Sequence, residues 1–227
     1  MTPDGQYGVL FDLDGTLVAS ERLYFNATER ILRPLGRSLD ELTPFEKSQI
    51  PGRAAHENMR LFQAKFGLAG TPEDLTRTRM DLILAAIDEE GVAVTPGTFE
   101  FLAAVKDAGL RTALASSSQG RYVRKVLQKI GLGAFFDAVK TGDDVTRYKP
   151  DPQIFLMALD ALGLSPARCI VVEDAHSGIL AGHAAGMKVL AVTSDYTLPE
   201  QTALADRIVP DFRGLGARDV LGLIEGA

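Results

Sequence analysis

Two carboxylates stand at the end of a short apolar run near the start of the chain. Residues 9–11 read Val-Leu-Phe, and Asp12, Leu13, Asp14 and Gly15 follow. Alternate residues of an extended backbone point the same way, so both carboxylates would lie close together at the end of a strand. Their repulsion makes it costly to keep both ionised, and a hard divalent cation with oxygen ligands would relieve it. The segment is a poor packing element and indicates an active site.

Polar side chains also follow later apolar runs. Three serines at 116–118 follow the run 112–115, Glu173 and Asp174 follow the run 170–172, and Lys149 precedes Pro-Asp-Pro. In open parallel sheets, ligands bind beyond the carboxyl ends of the strands. Hydroxyl and ammonium groups stabilise phosphate oxygens, and acids hold a metal ion. The combination suits phosphoryl transfer, which depends on positioning and charge neutralisation.

The chain alternates between strand and helix signals after residue 97. Strands are predicted at 9–11, 111–115, 137–141, 169–172, 188–192 and 207–209, and helices at 98–108, 121–130, 152–162, 177–185 and the C-terminus. Helical spacing also marks residues 21–35, 54–66 and 73–87, with a helix start at Thr71-Pro72 and no convincing strand between 20 and 90. We therefore expect an α/β fold: a Rossmann-like parallel sheet at 1–18 and 94–227, and a small all-helical cap domain at 19–93, inserted after the first strand.

Bulk composition is that of an ordinary globular protein. The 227 residues are 46% hydrophobic, and 24 basic against 30 acidic residues give a net charge of -6. No basic run suggests nucleic acid or an anionic membrane, the apolar stretches are too short to cross a membrane, and residues 1–5 lack signal-peptide features. The single cysteine, Cys169, excludes an intrachain disulfide and is expected to be buried. We expect a cytoplasmic monomer that binds neither nucleic acid nor membrane.

The four polar segments, in this order, resemble the motifs of the haloacid dehalogenase superfamily of phosphotransferases. The likeness spans nearly the whole chain, and the helical insertion is similar to the small cap of β-phosphoglucomutase and related sugar-phosphate phosphatases. It implies a magnesium-dependent phosphatase that hydrolyses a small phosphomonoester, such as a sugar or polyol phosphate, through an aspartyl-phosphate intermediate. The partner would be a small phosphorylated metabolite.

The resemblance also implies roles for the matching positions. Asp12 would be the nucleophile. Asp14 would act as general acid on the leaving oxygen and then as general base on water. Ser116 would hold the transferring phosphoryl group, and Lys149 would offset the charge around Asp12.

Metal and substrate contacts follow from the same likeness. Asp12, the main-chain carbonyl of Asp14 and Asp174 would bind Mg²⁺, and Glu173 would support the site or ligate the metal directly. Substrate-binding candidates are Gly15, Ser117, Gly52 and Arg53. Arg53 suits a second phosphate or carboxylate on the substrate because its guanidinium binds in a bidentate way.

Structural interpretations compete with several of these roles. Asp12 to Gly15 could be a simple turn, Lys149 a solvated loop lysine, and Asp174 only a helix cap. Ser117 and Ser118 are expected to cap the helix that follows them. In the cap, Tyr24 could pack or face the site, His56 is expected at the surface or between helices, and Arg77 and Arg79 are expected on a solvated helix face.

Two other activities stay open. In a phosphomutase the phosphoryl group returns to a sugar instead of water; the family links this chemistry to a histidine at the position of Tyr24, so hydrolysis is favoured. A receiver-like phospho-switch also gathers acids, a hydroxyl and a lysine, but it needs neither the helical insertion nor Asp14. A non-catalytic binding protein is the least favoured, since no catalytic position is replaced.

Overall fold

The computed structural model describes residues 7–48, 50, 55–194, 197 and 199–226. Its main sheet has six parallel strands in the order β5-β4-β1-β6-β7-β8. These strands are β1 (Gly8–Phe11), β4 (Arg111–Ala115), β5 (Ala138–Lys140), β6 (Cys169–Glu173), β7 (Lys188–Val192) and β8 (Arg207–Val209). The chain starts in the middle of the sheet, builds outward on one side through β4 and β5, and returns to the other side of β1. The topological switch point therefore lies at the carboxyl end of β1.

The register brings the predicted site segments to one edge. Phe11 pairs with Leu114 of β4 on one side and with Val172 of β6 on the other. The next residues along these strands, Asp12, Ala115 and Glu173, are therefore neighbours where the strands end. This edge carries every polar segment on which the sequence argument depends.

Alternating side chains of the strands build two cores, one on each face of the sheet. Val9 and Phe11 point into the core covered by α5 (Thr98–Asp107), α6 (Gly120–Ile130) and α10 (Ala217–Glu225). Leu10 points into the core covered by α7 (Gln153–Leu162) and α8 (His176–Ala184). A short helix, α9 (Pro199–Thr202), precedes β8. Strands buried on both faces explain why the sequence shows near-continuous apolar runs.

The segment between β1 and α5 is helical, as expected. It contains α1 (Glu21–Leu32), α2 (Pro44–Ser48), α3 (Ala55–Phe66) and α4 (Pro72–Glu90). Thr71 caps α4 by accepting a hydrogen bond from the Asp74 amide, at 3.1 Å. Leu32, Met59 and Phe62 belong to a separate apolar cluster within this segment, whereas Met80 and Ile83 of α4 join the core on the α6 side of the sheet.

The two links between this helical segment and the rest of the chain pair with each other. They form two short antiparallel strands, β2 (Val18–Ala19) and β3 (Ala93–Val94). Strands of two residues leave no periodic pattern, so the sequence did not indicate them. The division into core and cap remains a prediction, with its boundaries at this two-stranded ribbon.

Two simpler expectations can be compared directly with the structure. Cys169 is buried in β6, as predicted. In the described part of the chain, the helices are all too short or too polar to span a membrane.

Candidate active site

Asp12 and Lys149 form a buried ion pair at the carboxyl end of β1. Lys149 Nζ lies 2.5 Å from Asp12 Oδ1, 2.8 Å from Glu173 Oε1 and 2.9 Å from the carbonyl oxygen of Ala115. All three ammonium protons are therefore used. The Lys149 side chain is only 5% exposed, so the solvated-lysine alternative is wrong.

Glu173 supports this ion pair and the turn that follows β6. Its Oε1 accepts from Lys149, and its Oε2 accepts from the main-chain amides of Asp174 and Ala175, at 2.8 and 2.9 Å. A side chain at Gly178 would overlap the Glu173 carboxylate, so the glycine leaves room for it. With both oxygens engaged, Glu173 holds Lys149 and the Asp174 backbone in place.

Asp174 lies against the turn that carries Asp14. It accepts a hydrogen bond from Thr16 Oγ1 at 3.1 Å, and a Cβ atom at Gly15 would overlap its carboxylate. Gly15 has φ = 80°, a conformation that side chains other than glycine rarely adopt. Asp174 does not cap α8, because the N-cap position is Ala175 and no side chain bonds there. Gly15 therefore permits the close approach of Asp174 and does not merely form a turn.

Asp14 is held by three hydroxyl groups. Its Oδ1 accepts from Ser20 Oγ at 2.6 Å and from the Tyr122 hydroxyl at 2.5 Å, and its Oδ2 accepts from Ser118 Oγ at 2.6 Å. The Tyr24 hydroxyl is 3.4 Å from Ser118 Oγ. Tyr122 was not predicted from the sequence to contact the site. One feature of the sequence could have indicated this contact. Tyr122 is the third residue of a helix that begins at this edge of the sheet, and a buried tyrosine hydroxyl needs a hydrogen-bond partner.

The serines after β4 do not cap α6, so the capping prediction for Ser117 and Ser118 is wrong. The N-cap of α6 is Gln119, and the Gly120 amide donates instead to Asp143 Oδ2 at 3.0 Å. Ser116 is buried, and its Oγ accepts from the Ser118 amide at 3.1 Å. Ser116 and Ser117 both line the cavity in front of Asp12.

Burial and crowding of negative charge perturb the acids. Burial raises the pKa of Asp12 to about 7; Lys149 counteracts this, while the charges on Glu173 and Asp14 add to it. Burial, with the charges of Glu173 and Asp12, also holds the pKa of Asp174 well above its usual value. The site carries more negative charge than Lys149 offsets.

The basic and phenolic groups remain protonated. Burial disfavours the charge on Lys149, but Asp12 and Glu173 outweigh it and raise the Lys149 pKa above its usual value. Burial and the nearby charge of Asp14 raise the pKa of the Tyr122 and Tyr24 hydroxyls. Both phenols are therefore neutral hydrogen-bond donors at physiological pH.

A cavity of about 730 Å³ opens between this edge of the sheet and the helical segment. Its floor includes Asp12, Asp14 and Ser116, and its other wall includes Tyr24 of α1 and His56 of α3. The volume suits a small metabolite. His56 is half-buried, and its ring lies 6.5 Å from the ring of Tyr148, which also lines the cavity.

Arg77 and Arg79 of α4 differ sharply. Arg77 is exposed and pairs with Asp74, as expected for a solvated face. Arg79 is only 3% exposed, so its predicted solvation is wrong. Its guanidinium lies over the Tyr24 ring, 5.1 Å from the centroid, and donates to the Tyr24 carbonyl oxygen. Burial lowers the Arg79 pKa to about 10.

Two predicted substrate-binding residues cannot be placed. Gly52 and Arg53 fall outside the described residues.

The acids do not form a ready-made metal site: no three His, Cys, Asp or Glu side chains in the described ranges are grouped so that they could hold a metal ion. What fits a hard cation is the unbalanced charge of Asp12 and Asp174 beside the Gly15 turn.

A carboxylate that is paired with a lysine and yet opens onto a cavity can attack phosphorus. At the switch point of a parallel sheet, beside a second acid and a serine, it defines a class of phosphoryl-transfer enzymes. The family model of haloacid dehalogenase-like hydrolases matches residues 9–192, and the chain belongs to this family. The resemblance drawn from the motifs is confirmed, and the protein is an enzyme of this hydrolase class.

Known relatives are similar along most of their length. Hexitol phosphatase A of Escherichia coli is 34% identical over 192 residues, which are 85% of this chain and 85% of that protein. Phosphorylated carbohydrates phosphatase of Thermotoga maritima is 31% identical over 180 residues, 79% of this chain and 82% of that protein. A crystal structure of CbbY from Rhodobacter sphaeroides in complex with xylulose-(1,5)bisphosphate has a TM-score of 0.84 and 28% identity, covering 95% of this chain and 99% of that chain. The predicted α/β fold is confirmed.

Proposed function

We propose that this enzyme is a magnesium-dependent phosphatase that hydrolyses a small sugar or polyol phosphate through an aspartyl phosphate on Asp12. The observation that carries the proposal is that two acids lie together at the cavity floor. Asp12 is ion-paired with Lys149, and Asp14, two residues further on, accepts hydrogen bonds from three hydroxyl groups. These hydroxyl groups, which we call the hydroxyl cage, belong to Ser20, Ser118 and Tyr122. The names of the relatives, two of which are phosphatases of phosphorylated carbohydrates and hexitols, supply the substrate class.

In the first half-reaction, an Asp12 carboxylate oxygen bonds to phosphorus while the bond from phosphorus to the substrate oxygen breaks. Asp14 gives its proton to that oxygen, so the product leaves as an alcohol. Ser116 holds the phosphoryl group in place. Lys149 favours the ionised form of Asp12 and offsets charge on the phosphoryl oxygens.

In the second half-reaction, water attacks the phosphorus of the aspartyl phosphate. Asp14, now ionised, takes a proton from the water, and the bond between Asp12 and phosphorus breaks. Inorganic phosphate leaves and both aspartates return to their starting states.

Asp12, Asp174 and the main-chain carbonyl of Asp14 would hold Mg²⁺, which neutralises charge on the phosphoryl oxygens when bound. Glu173 would act indirectly, because both of its oxygens already serve Lys149 and the turn. Gly15 contributes by leaving room for Asp174, and Ser117 by lining the cavity. The helical segment would close on the substrate as a cap hinged at the β2–β3 ribbon, which restricts the access of bulk water.

The test is a phosphate-release screen over phosphorylated sugars and polyols, with Mg²⁺ and with chelator. Asp12→Asn should abolish turnover while leaving the fold intact, because the amide cannot form the acyl phosphate. Asp14→Asn should still be phosphorylated by acetyl phosphate but should barely hydrolyse an alkyl ester. Full activity of Asp12→Asn would refute the assignment. An isomeric sugar phosphate as product would indicate a mutase, and one stoichiometric, long-lived phosphorylation would indicate a switch.

A further inference from the structure

Tyr122 contacts the proposed acid–base residue from a direction that substrate cannot reach. It is the third residue of α6 and is fully buried. Its hydroxyl donates to Asp14 Oδ1, while the described residues that line the cavity include Asp14, Ser20, Ser118 and Tyr24 but not Tyr122. Tyr122 therefore acts on the chemistry through the residues it contacts, by a hydrogen bond to Asp14 and a ring contact with Tyr24 at 5.7 Å.

We propose that Tyr122 is a positioning residue that fixes the Asp14 carboxyl group for proton transfer to and from substrate. This inference rests on the proposed function. The phenol is suited to the task because its hydroxyl sits at the end of a rigid ring, and that ring is packed in the core on the α6 side of the sheet.

The donors around Asp14 divide its two oxygens into different roles. Oδ1 accepts from both Ser20 and Tyr122, whereas Oδ2 contacts only Ser118 among these hydroxyls. A serine hydroxyl can turn and accept a hydrogen bond when the carboxyl group carries a proton. Oδ1 is thus the anchored oxygen, and Oδ2 is the oxygen that exchanges the proton.

Ser20 and Tyr122 are anchored to different parts of the molecule. Ser20 immediately precedes α1 of the helical segment, so it follows any movement of that segment. Tyr122 belongs to α6, whose Val123 and Val126 are buried in the same core as β1 and β4. The Tyr122 hydrogen bond therefore ties Asp14 to the core that covers β1 and β4, a core that Met80 and Ile83 of α4 also join.

Two substrates in one enzyme preparation test the proposal. Departure of an alcohol from glycerol phosphate needs the proton of Asp14, whereas nitrophenolate leaves p-nitrophenyl phosphate without one. The value of kcat/KM reports the steps through departure of the leaving group. Its ratio for the two substrates is independent of how much of the preparation is folded. A variant with reduced stability therefore still gives an interpretable answer.

Tyr122→Phe should lower kcat/KM for glycerol phosphate by about tenfold while changing that for p-nitrophenyl phosphate by less than about threefold. Asp14→Asn should show the same selectivity, with a larger loss. Tyr7→Phe is the matched control: it removes a tyrosine hydroxyl that donates to a carboxylate, Glu225 Oε1 at 3.1 Å, at the opposite end of β1. It should leave the ratio unchanged.

An equal loss on both substrates, or no loss on either, would overturn the positioning role of Tyr122. The first result would show that the phenol matters only for folding or binding, and the second that Ser20 and Ser118 suffice. If the wild-type enzyme released phosphate from neither ester, the proposed function itself would be refuted.

Discussion

Raising the pH of the metal-free protein from about 5 to about 7.5 should destabilise it, because Asp12 must ionise in a buried site. Burial raises the pKa of Asp12 to about 7 despite the opposing effect of Lys149, and Glu173 and Asp14 add to the rise. In an unfolded chain this pKa is about 3.9. A carboxyl group whose pKa is raised by folding favours the folded state below its unfolded pKa, and this contribution is lost as the pH climbs through the folded value.

The gap between the two pKa values corresponds to about 4 kcal/mol, of which about 2 to 3 kcal/mol fall between pH 5 and 7.5. For a protein of this size, that loss lowers the melting temperature by roughly 5 to 10 °C. The acids whose pKa is lowered, such as Asp206 and Asp137, change protonation below this interval and leave the slope unaffected.

The assay is thermal unfolding followed by circular dichroism in chelator, at closely spaced pH values. Asp12→Asn keeps an acceptor for Lys149 but has no proton to lose, so most of the slope should disappear. The remainder belongs to Asp174, whose pKa is raised for similar reasons. Added Mg²⁺ should restore stability chiefly at the higher pH, where the carboxylates that bind it are ionised. A wild-type melting temperature that stays constant or rises over this interval would refute the reasoning, as would an equal slope in Asp12→Asn.

Two further predictions concern single side chains. Gly15→Ala should weaken Mg²⁺ binding and activity by at least about tenfold, because the new methyl group displaces Asp174; isothermal titration and phosphate release measure it. Gly131→Ala is the control, because Gly131 also has a positive φ, 74°, but has open space around it. This variant should lose stability but not activity or Mg²⁺ binding. Equal activity losses in the two variants would contradict the role given to Gly15. Asp206→Asn should lower stability by about 1 to 2 kcal/mol at neutral pH, because Lys188 and a main-chain amide outweigh burial and lower the Asp206 pKa to about 2. The difference in unfolding free energy between the wild type and Asp206→Asn should shrink at low pH, because acid protonates Asp206 in the wild type. A difference that does not change with pH, measured by chemical unfolding, would refute this prediction.

The sheet and the convergence of its polar ends could be predicted because both follow from local patterns. Each buried strand is a short apolar run, and the predicted range 111–115 has the same bounds as β4 (Arg111–Ala115). Parallel strands share a carboxyl edge, so residues that follow different runs must meet there without any knowledge of the register. Asp12 and Glu173 meet in this way, and both contact Lys149, which lies in a loop and follows no apolar run directly.

The burial of Arg79 follows from a local pattern that the sequence contains. Arg79 stands in the helical series of Thr76, Met80, Ile83 and Ile87, all of which are buried on one side of α4. Arg77, two positions away, is turned by about 200° around a helix of 3.6 residues per turn. The two arginines therefore could not share a solvated face, and the apolar series indicated the buried one.

The hydroxyl cage of Asp14 could not be predicted, because it overrides a local preference. Ser20 occupies the N-cap of α1 and Ser118 lies just before α6, yet neither caps its helix. Both donate to Asp14 instead. Hydrogen bonds to a charged group are about twice as strong as neutral ones, so a carboxylate within reach outcompetes a helix terminus that another acceptor can serve. At α6 that acceptor is Asp143. A serine that precedes a helix at the carboxyl edge of a parallel sheet is therefore ambiguous until the long-range neighbours of its hydroxyl are known.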